Sequence, residues 1–133
     1  LNGIDILRSS GYYETLSWPD PSKPKFLNIV IKCNTKLQPK KFLEISKSIE
    51  IKLGRKKTLK NSPRVCDIDI ISYRKKIISN EITIPHKSMS IRNFVLIPLF
   101  EIAPNFVHPK THKSIKNLIF SLPIKDITSI KYL

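Results

Sequence analysis

Apolar and polar residues alternate from Phe26 to Cys33. Leu27, Ile29, Ile31 and Cys33 point one way and Asn28, Val30 and Lys32 the other, which predicts a strand. Downstream the period changes. Phe42, Ile45, Ile49 and Leu53 recur at spacings of three and four, predicting an amphipathic helix with Pro39 in its first turn and Gly54 as its C-terminal stop. Ahead of these elements, Ile4, Ile6 and Leu7 predict a strand that opens out at Ser9-Ser10-Gly11 and runs on toward Tyr13. Prolines at 19, 21 and 24 exclude helix from Thr15 to Pro24 and predict a long surface loop, of the length that often binds ligands. Val65 to Tyr73 reads as another strand, Arg74-Lys75-Lys76 as a turn, and Ile82-Thr83-Ile84 as a short strand leading into Pro85-His86. A short helix is expected over Pro98–Ile102, and Ile115, Leu118, Ile119 and Leu122 mark a second amphipathic one. With no internal repeat and no linker, the expectation is one α+β domain over residues 1–133.

Composition narrows this only in part. The chain has 133 residues, about one domain, and a 41% hydrophobic fraction suited to a single core. Its longest apolar run, Phe94-Val95-Leu96-Ile97, is cut by Pro98, far short of the roughly 18 residues of a membrane span. Cys33 and Cys66 stand alone in apolar stretches without metal or redox spacing, and read as reduced thiols of a cytoplasmic protein. The net charge of +14 favours polyanions: nucleic acid, an anionic membrane surface or a small phosphate-rich ligand. Lysines are spread along the whole chain, so drift toward a Lys-rich composition accounts for the charge equally well.

Chemistry concentrates in Pro63-Arg64-Val65-Cys66-Asp67-Ile68-Asp69-Ile70-Ile71. On a strand, Asp67 and Asp69 share a face with Cα atoms about 6.6 Å apart. Two neighbouring carboxylates in an apolar strand need neutralising, and magnesium, which takes oxygen ligands, does this; two such ions can bridge a polyphosphate. The plainer reading is a solvated face paired to lysines. Arg64 and Arg55 shift the balance, because guanidinium forks suit phosphate oxygens. With glycines only at 3, 11 and 54 there is no phosphate-cradling glycine loop, and no Gly-x-Ser-x-Gly or His-Glu-x-x-His motif supports a hydrolase. Taken singly, His86, Glu50 and Arg92 read as packed or surface residues.

Seven segments together resemble the 6-hydroxymethyl-7,8-dihydropterin pyrophosphokinases. They are Ser-Ser-Gly-Tyr-Tyr-Glu-Thr (9–15), Phe-Leu-Asn (26–28), Ile-Glu-Ile-Lys-Leu-Gly-Arg (49–55), Pro-Arg-Val-Cys-Asp-Ile-Asp-Ile (63–70), Ile-Pro-His (84–86), Arg-Asn-Phe-Val-Leu-Ile-Pro-Leu (92–99) and Glu-Ile-Ala-Pro (101–104). They occur in the family's order over about residues 4 to 109. The resemblance implies a ferredoxin-like antiparallel sheet with helices on its faces, and transfer of pyrophosphate from ATP to the pterin's hydroxymethyl oxygen, giving AMP. It places Asp67 and Asp69 at the pair holding two magnesium ions, and Arg55 and Arg64 at the catalytic arginines. Glu50, Ile70, Thr83, His86 and Arg92 fall on ATP-binding positions; Thr15, Leu16, Trp18, Phe26, Asn28 and Phe94 fall on the pterin pocket. The basic stretch 55–62 resembles a substrate-closing lid, with Asn61-Ser62 where the family has Trp-Gly. Glu81 replaces a usual basic contact and Lys87 a usual aromatic. The family's first strand and Gly-Ser-Asn turn have no counterpart after Leu1, so an N-terminally truncated domain is expected. The partners implied are the two small substrates, with no nucleic acid, no membrane and a monomeric chain. Two alternatives stay open: a catalytically impaired homologue, and a basic RNA-binding module. Against the latter, the 65–73 strand offers carboxylates where such modules stack bases on aromatics.

Overall fold

The computed structural model describes residues 3–17, 19–54 and 66–133. Among these, the chain runs β1 (Ile4–Ser9), β2 (Tyr13–Thr15), β3 (Phe26–Asn28), β4 (Ile31–Thr35), α1 (Pro39–Lys52), β5 (Ile78–Ser79), β6 (Thr83–Ile84), a 3-10 turn (Met89–Ile91), α2 (Asn93–Ile102), α3 (Ile115–Phe120), α4 (Ile124–Thr128) and β7 (Lys131–Tyr132). All strand pairing between described residues is antiparallel: β1 with β4, β2 between β3 and β7, and β5 with β6. Helices with antiparallel strands make the fold α+β.

The expected strand 26–33 is divided in two, and Ser10 is the reason. Its backbone N–H donates to the Val30 carbonyl at 2.9 Å, and its hydroxyl accepts the Val30 N–H at 2.9 Å. Both backbone groups of Val30 are thus satisfied by one buried serine, and the paired chains pass from the β2–β3 ladder to the β1–β4 ladder there. Residues 66–73, also expected as a strand, have no assigned ladder. Their alternation nevertheless holds, with Cys66, Ile68 and Ile70 half-buried and Asp67 and Asp69 exposed. The turn at 74–76 is present: Arg74 and Lys75 have φ of 51° and 62°, and the Lys76 N–H returns to the Tyr73 carbonyl at 2.8 Å.

Helix α1 starts and stops as expected, with Gly54 at φ 99° receiving the reversal that a side chain would resist. Its buried face is rotated from the predicted stripe. Pro39, Ser46 and Glu50 are buried, while Ile49 and Leu53 are exposed. The Ser46 hydroxyl is satisfied by the Phe42 carbonyl at 3.0 Å, and the Glu50 carboxylate by the Ile68 N–H at 2.6 Å. Satisfied polar groups can take positions otherwise left to apolar ones.

Helix α2 is longer than the expected 98–102. Pro98 lies inside it, where it lacks an N–H for the Phe94 carbonyl but contributes a fully buried ring. Val95, Leu96, Leu99 and Ile102 are buried too. Leu96 joins Met89, Val95, Leu99, Ile115, Leu118 and Leu122 in the main core, with Val30, Ile71 and Phe94 packed on its margin. Ser114 caps α3 by accepting the Asn117 N–H at 3.2 Å.

Two outcomes follow from this packing. Leu96→Ala should lower unfolding stability by about 2–5 kcal/mol in urea titration, since Leu96 is wholly enclosed. The second concerns His108, which is buried and whose Nδ1 accepts the Lys110 and Thr111 N–H groups, both at 3.2 Å. Burial, with Lys110 adding, holds its imidazole below the ordinary 6.5. The unfolded chain therefore takes up a proton that the folded chain resists. This contribution is present above about pH 6.5 and is lost as pH falls toward the lower folded value. The thermal midpoint should drop between pH 7 and 5, and less steeply in His108→Asn.

Candidate functional site

The β2–β3 hairpin builds one wall of the site. Tyr13 pairs with Asn28 and Thr15 with Phe26, so all four side chains lie on one face of the ladder. That face meets α2: Phe26 stands edge-on to Phe94, with ring centroids 5.9 Å apart and planes at 79°. Arg92, the residue preceding α2, places its guanidinium 5.4 Å from the centre of the Phe94 ring. Between these aromatics and the strands, Thr15 Oγ1 and Asn28 Nδ2 are buried with no hydrogen-bond partner among the described residues. Each such atom costs about 1–3 kcal/mol when left unpaired. Groups of this kind suit a flat heterocycle with polar edges, which would have to part the edge-on Phe26–Phe94 contact to reach them. Four of the expected pterin-pocket residues, Thr15, Phe26, Asn28 and Phe94, are therefore brought together. Leu16 begins the loop that joins β2 to β3 and is exposed, and Trp18 lies outside the described residues.

The second wall comes from residues 66–71 and the segment after β6. The His86 N–H donates to the Ile71 carbonyl at 2.9 Å, tying the two segments together. His86 Nδ1 accepts the Ser88 N–H at 3.1 Å, which puts the proton of the neutral ring on Nε2. Burial pushes this imidazole below its ordinary range; Arg92 and Lys87 act in the same direction, and Asp69 opposes them. His86 thus lies within reach of the charges on Arg92, Asp69 and Lys87. Half-buried Ile70 belongs to the first of these segments, and exposed Thr83 to β6, just ahead of the second.

Glu50 is only 2% exposed, so its carboxylate works inside the fold. Besides the Ile68 N–H it meets Lys47 at 3.8 Å. Ile68 lies between Asp67 and Asp69, so this buried acid fixes the backbone from which both project. Asp67 and Asp69 alternate with half-buried neighbours and so share a side, as the alternation predicted; both are exposed, as the plainer solvated-face reading expected. Two adjacent carboxylates with room around them fit a divalent cation that takes oxygen ligands and retains water. Burial raises the Cys66 thiol, with the Glu50 and Asp67 carboxylates adding to it. Arg55 and Arg64 lie outside the described residues.

One acid near the site escaped sequence reasoning. Glu101, in the last turn of α2, accepts the Tyr13 hydroxyl at 2.7 Å and the Gly11 N–H at 3.1 Å. The available signal was a lone carboxylate in an otherwise apolar helix.

Residues 1–104 match the family model for 7,8-dihydro-6-hydroxymethylpterin-pyrophosphokinase. A 2-amino-4-hydroxy-6-hydroxymethyldihydropteridine pyrophosphokinase from Aquifex aeolicus is 37% identical over 114 residues, covering 85% of this chain and 71% of that protein. The protein of the same description from Methylorubrum extorquens is 41% identical over 106 residues, covering 79% and 67%. The folic acid synthesis protein fol1 of Schizosaccharomyces pombe is 38% identical over 128 residues, where the match takes in 96% of this chain but 18% of that much longer protein. With most of its length matched, the chain belongs to the 7,8-dihydro-6-hydroxymethylpterin-pyrophosphokinase family.

Proposed function

We propose that this chain transfers pyrophosphate from ATP to the hydroxymethyl oxygen of 6-hydroxymethyl-7,8-dihydropterin. A new bond forms from that oxygen to the β-phosphorus, the bond from the β-phosphorus to the α–β bridging oxygen breaks, and AMP leaves. The observation that carries this reading is the pair of buried, unpartnered atoms Thr15 Oγ1 and Asn28 Nδ2 beside the Phe26–Phe94 contact. The printed descriptions of the Aquifex and Methylorubrum relatives support the same substrate.

In this mechanism Phe26 and Phe94 flank the pterin ring, and Asn28 and Thr15 bond its polar edges, with Leu16 and Trp18 completing the pocket. His86 offers its Nε2 proton to an ATP oxygen, and Arg92 its guanidinium; Ile70 and Thr83 line the same side. Glu50 contributes from within by holding the Ile68 backbone. Asp67 and Asp69 would hold two magnesium ions, which when bound neutralise triphosphate charge and polarise the phosphoryl oxygens. Arg55 and Arg64 would meet the charge that grows on the transferring group. A ferredoxin-like sheet, a cytoplasmic location and a monomeric state go with this reading. The +14 charge then serves an anionic small substrate, with no need for nucleic acid.

The direct test is AMP formation from ATP, magnesium and the hydroxymethyldihydropterin by the intact protein. Asp67→Ala and Asp69→Ala should each lower magnesium-dependent AMP formation by about a hundredfold or more with the circular dichroism spectrum retained; unchanged rates remove the metal pair from the mechanism. Asn28→Ala should raise the pterin KM about tenfold to a hundredfold without weakening the unliganded fold, because it removes a donor that lacks a partner. A stability loss with unchanged pterin KM would instead give Asn28 a purely structural role.

A further inference from the structure

Tyr13 is held at both ends. Its hydroxyl donates to Glu101 Oε1 at 2.7 Å, and the Glu101 carboxylate also receives the Gly11 N–H, at 3.2 Å to Oε1 and 3.1 Å to Oε2. Its ring meets Tyr132 of β7 edge-on, with centroids 5.0 Å apart. Strand β7 pairs Tyr132 with Tyr13 and Lys131 with Glu14, and the Leu133 N–H reaches the Tyr12 carbonyl at 2.9 Å. Tyr132 also lies over Gly11, where a Cβ would come within 2.5 Å of its Oη and displace the exposed ring. Burial first, then the Glu101 hydrogen bond and charge, push the Tyr13 hydroxyl well above the usual tyrosine range, so it remains a donor.

These contacts bear on the pocket because of where they attach. Glu101 and Phe94 are seven residues apart on α2, about two turns or 10.5 Å. Phe94 meets β3 through Phe26, and Glu101 meets the start of β2 through Gly11 and Tyr13. Both strands of the hairpin are therefore referenced to one helix, whose other side is locked in the core. Tyr13 shares its face with Thr15 and lies opposite Asn28.

We infer that Glu101 is a positioning residue for pterin binding: its carboxylate clamps Tyr13 and Gly11 to α2 and so fixes the spacing between the Thr15 and Asn28 polar atoms and the Phe94 ring. This rests on the proposed function.

The experiment compares the intact protein with Glu101→Ala, Glu101→Gln and Tyr13→Phe, reading KM for pterin and for ATP, kcat and the thermal midpoint. Glu101→Ala should raise the pterin KM about tenfold with the ATP KM within about twofold of its original value, the scale expected from a small misplacement of a binding group. Glu101→Gln should recover most of that loss, since an amide oxygen still accepts both donors. Tyr13→Phe, which removes a single hydroxyl, should fall between them. Equal changes in both KM values, or a lower midpoint with the pterin KM unchanged, would make Glu101 a general brace and overturn the inference. If Glu101→Ala does not fold, Tyr13→Phe decides: a pterin KM equal to that of the unmodified protein overturns the clamp. If the unmodified protein forms no AMP, the proposed activity fails, and binding of 6-hydroxymethylpterin followed by its fluorescence decides the clamp separately. Weaker binding in Glu101→Ala supports the clamp, and equal binding, or none by the unmodified protein, overturns it.

Discussion

Burial of α2 is the constraint on which the rest of the site depends. Val95, Leu96, Leu99 and Ile102 are enclosed, and Leu96 sits with Met89, Ile115, Leu118 and Leu122 in a core that has the close packing of protein interiors. A helix seated in that way cannot roll or slide without opening cavities. Its remaining groups inherit the same rigidity. Phe94 against Phe26, Arg92 over Phe94 and Glu101 against Gly11 and Tyr13 are all set by one rod. Pro98 fits this role: it gives up one internal hydrogen bond, and its ring is buried in the helix that the site shares with the core.

How the chain treats its buried hydroxyls separates folding from binding. The Ser10 hydroxyl takes the Val30 N–H, Ser46 bonds Phe42 and Ser17 bonds the Pro24 carbonyl. Each is buried, and each is satisfied by backbone close to its own element. Thr15 Oγ1, on the same side of the molecule as Ser17 and in an adjoining segment, has no such partner among the described residues, and neither does Asn28 Nδ2 across the hairpin. A fold able to satisfy a serine two residues along from Thr15 has no steric need to leave the threonine open. In the proposed function, unmet polar groups beside aromatic rings serve a ligand with polar edges, at some cost in stability to the unliganded protein.

Much of this was legible in the sequence, and the failures have physical causes. That Asp67 and Asp69 share a side followed from period-two alternation, which survives even without an assigned ladder, because extended backbone alone sends neighbouring side chains to opposite sides; their exposure is what the plainer, solvated-face reading expected. The limits of α1 followed from Pro39 and Gly54. Its buried face did not, because periodicity counts apolar residues and is blind to a glutamate whose carboxylate is satisfied by the Ile68 N–H. Pro98 reads as a boundary in the sequence, yet the surrounding apolar run buries it within a helix. The division of the 26–33 strand required knowing that Ser10 would meet Val30, and the clamp at Tyr13 required pairing Glu101 with a residue 88 positions away. Long-range partners of single polar residues leave no periodic trace.

The same scarcity of acids gives the proposed site its selectivity. Against 24 lysines and arginines the chain has only 10 acidic residues, and several of those accept backbone N–H groups: Glu50 from Ile68, Glu101 from Gly11 and Asp20 from Ser22. Asp67 and Asp69 stand one residue apart and exposed. A uniformly basic surface attracts any polyanion and repels divalent cations. In the proposed function, a local pair of carboxylates would offset that field where it stands, favouring a metal-bound triphosphate over a bare phosphate chain. In that reading, with the His86 imidazole shifted toward its neutral form and Arg92 six residues on, the Asp67–Asp69 pair is where a metal-bound nucleotide would find its charges matched.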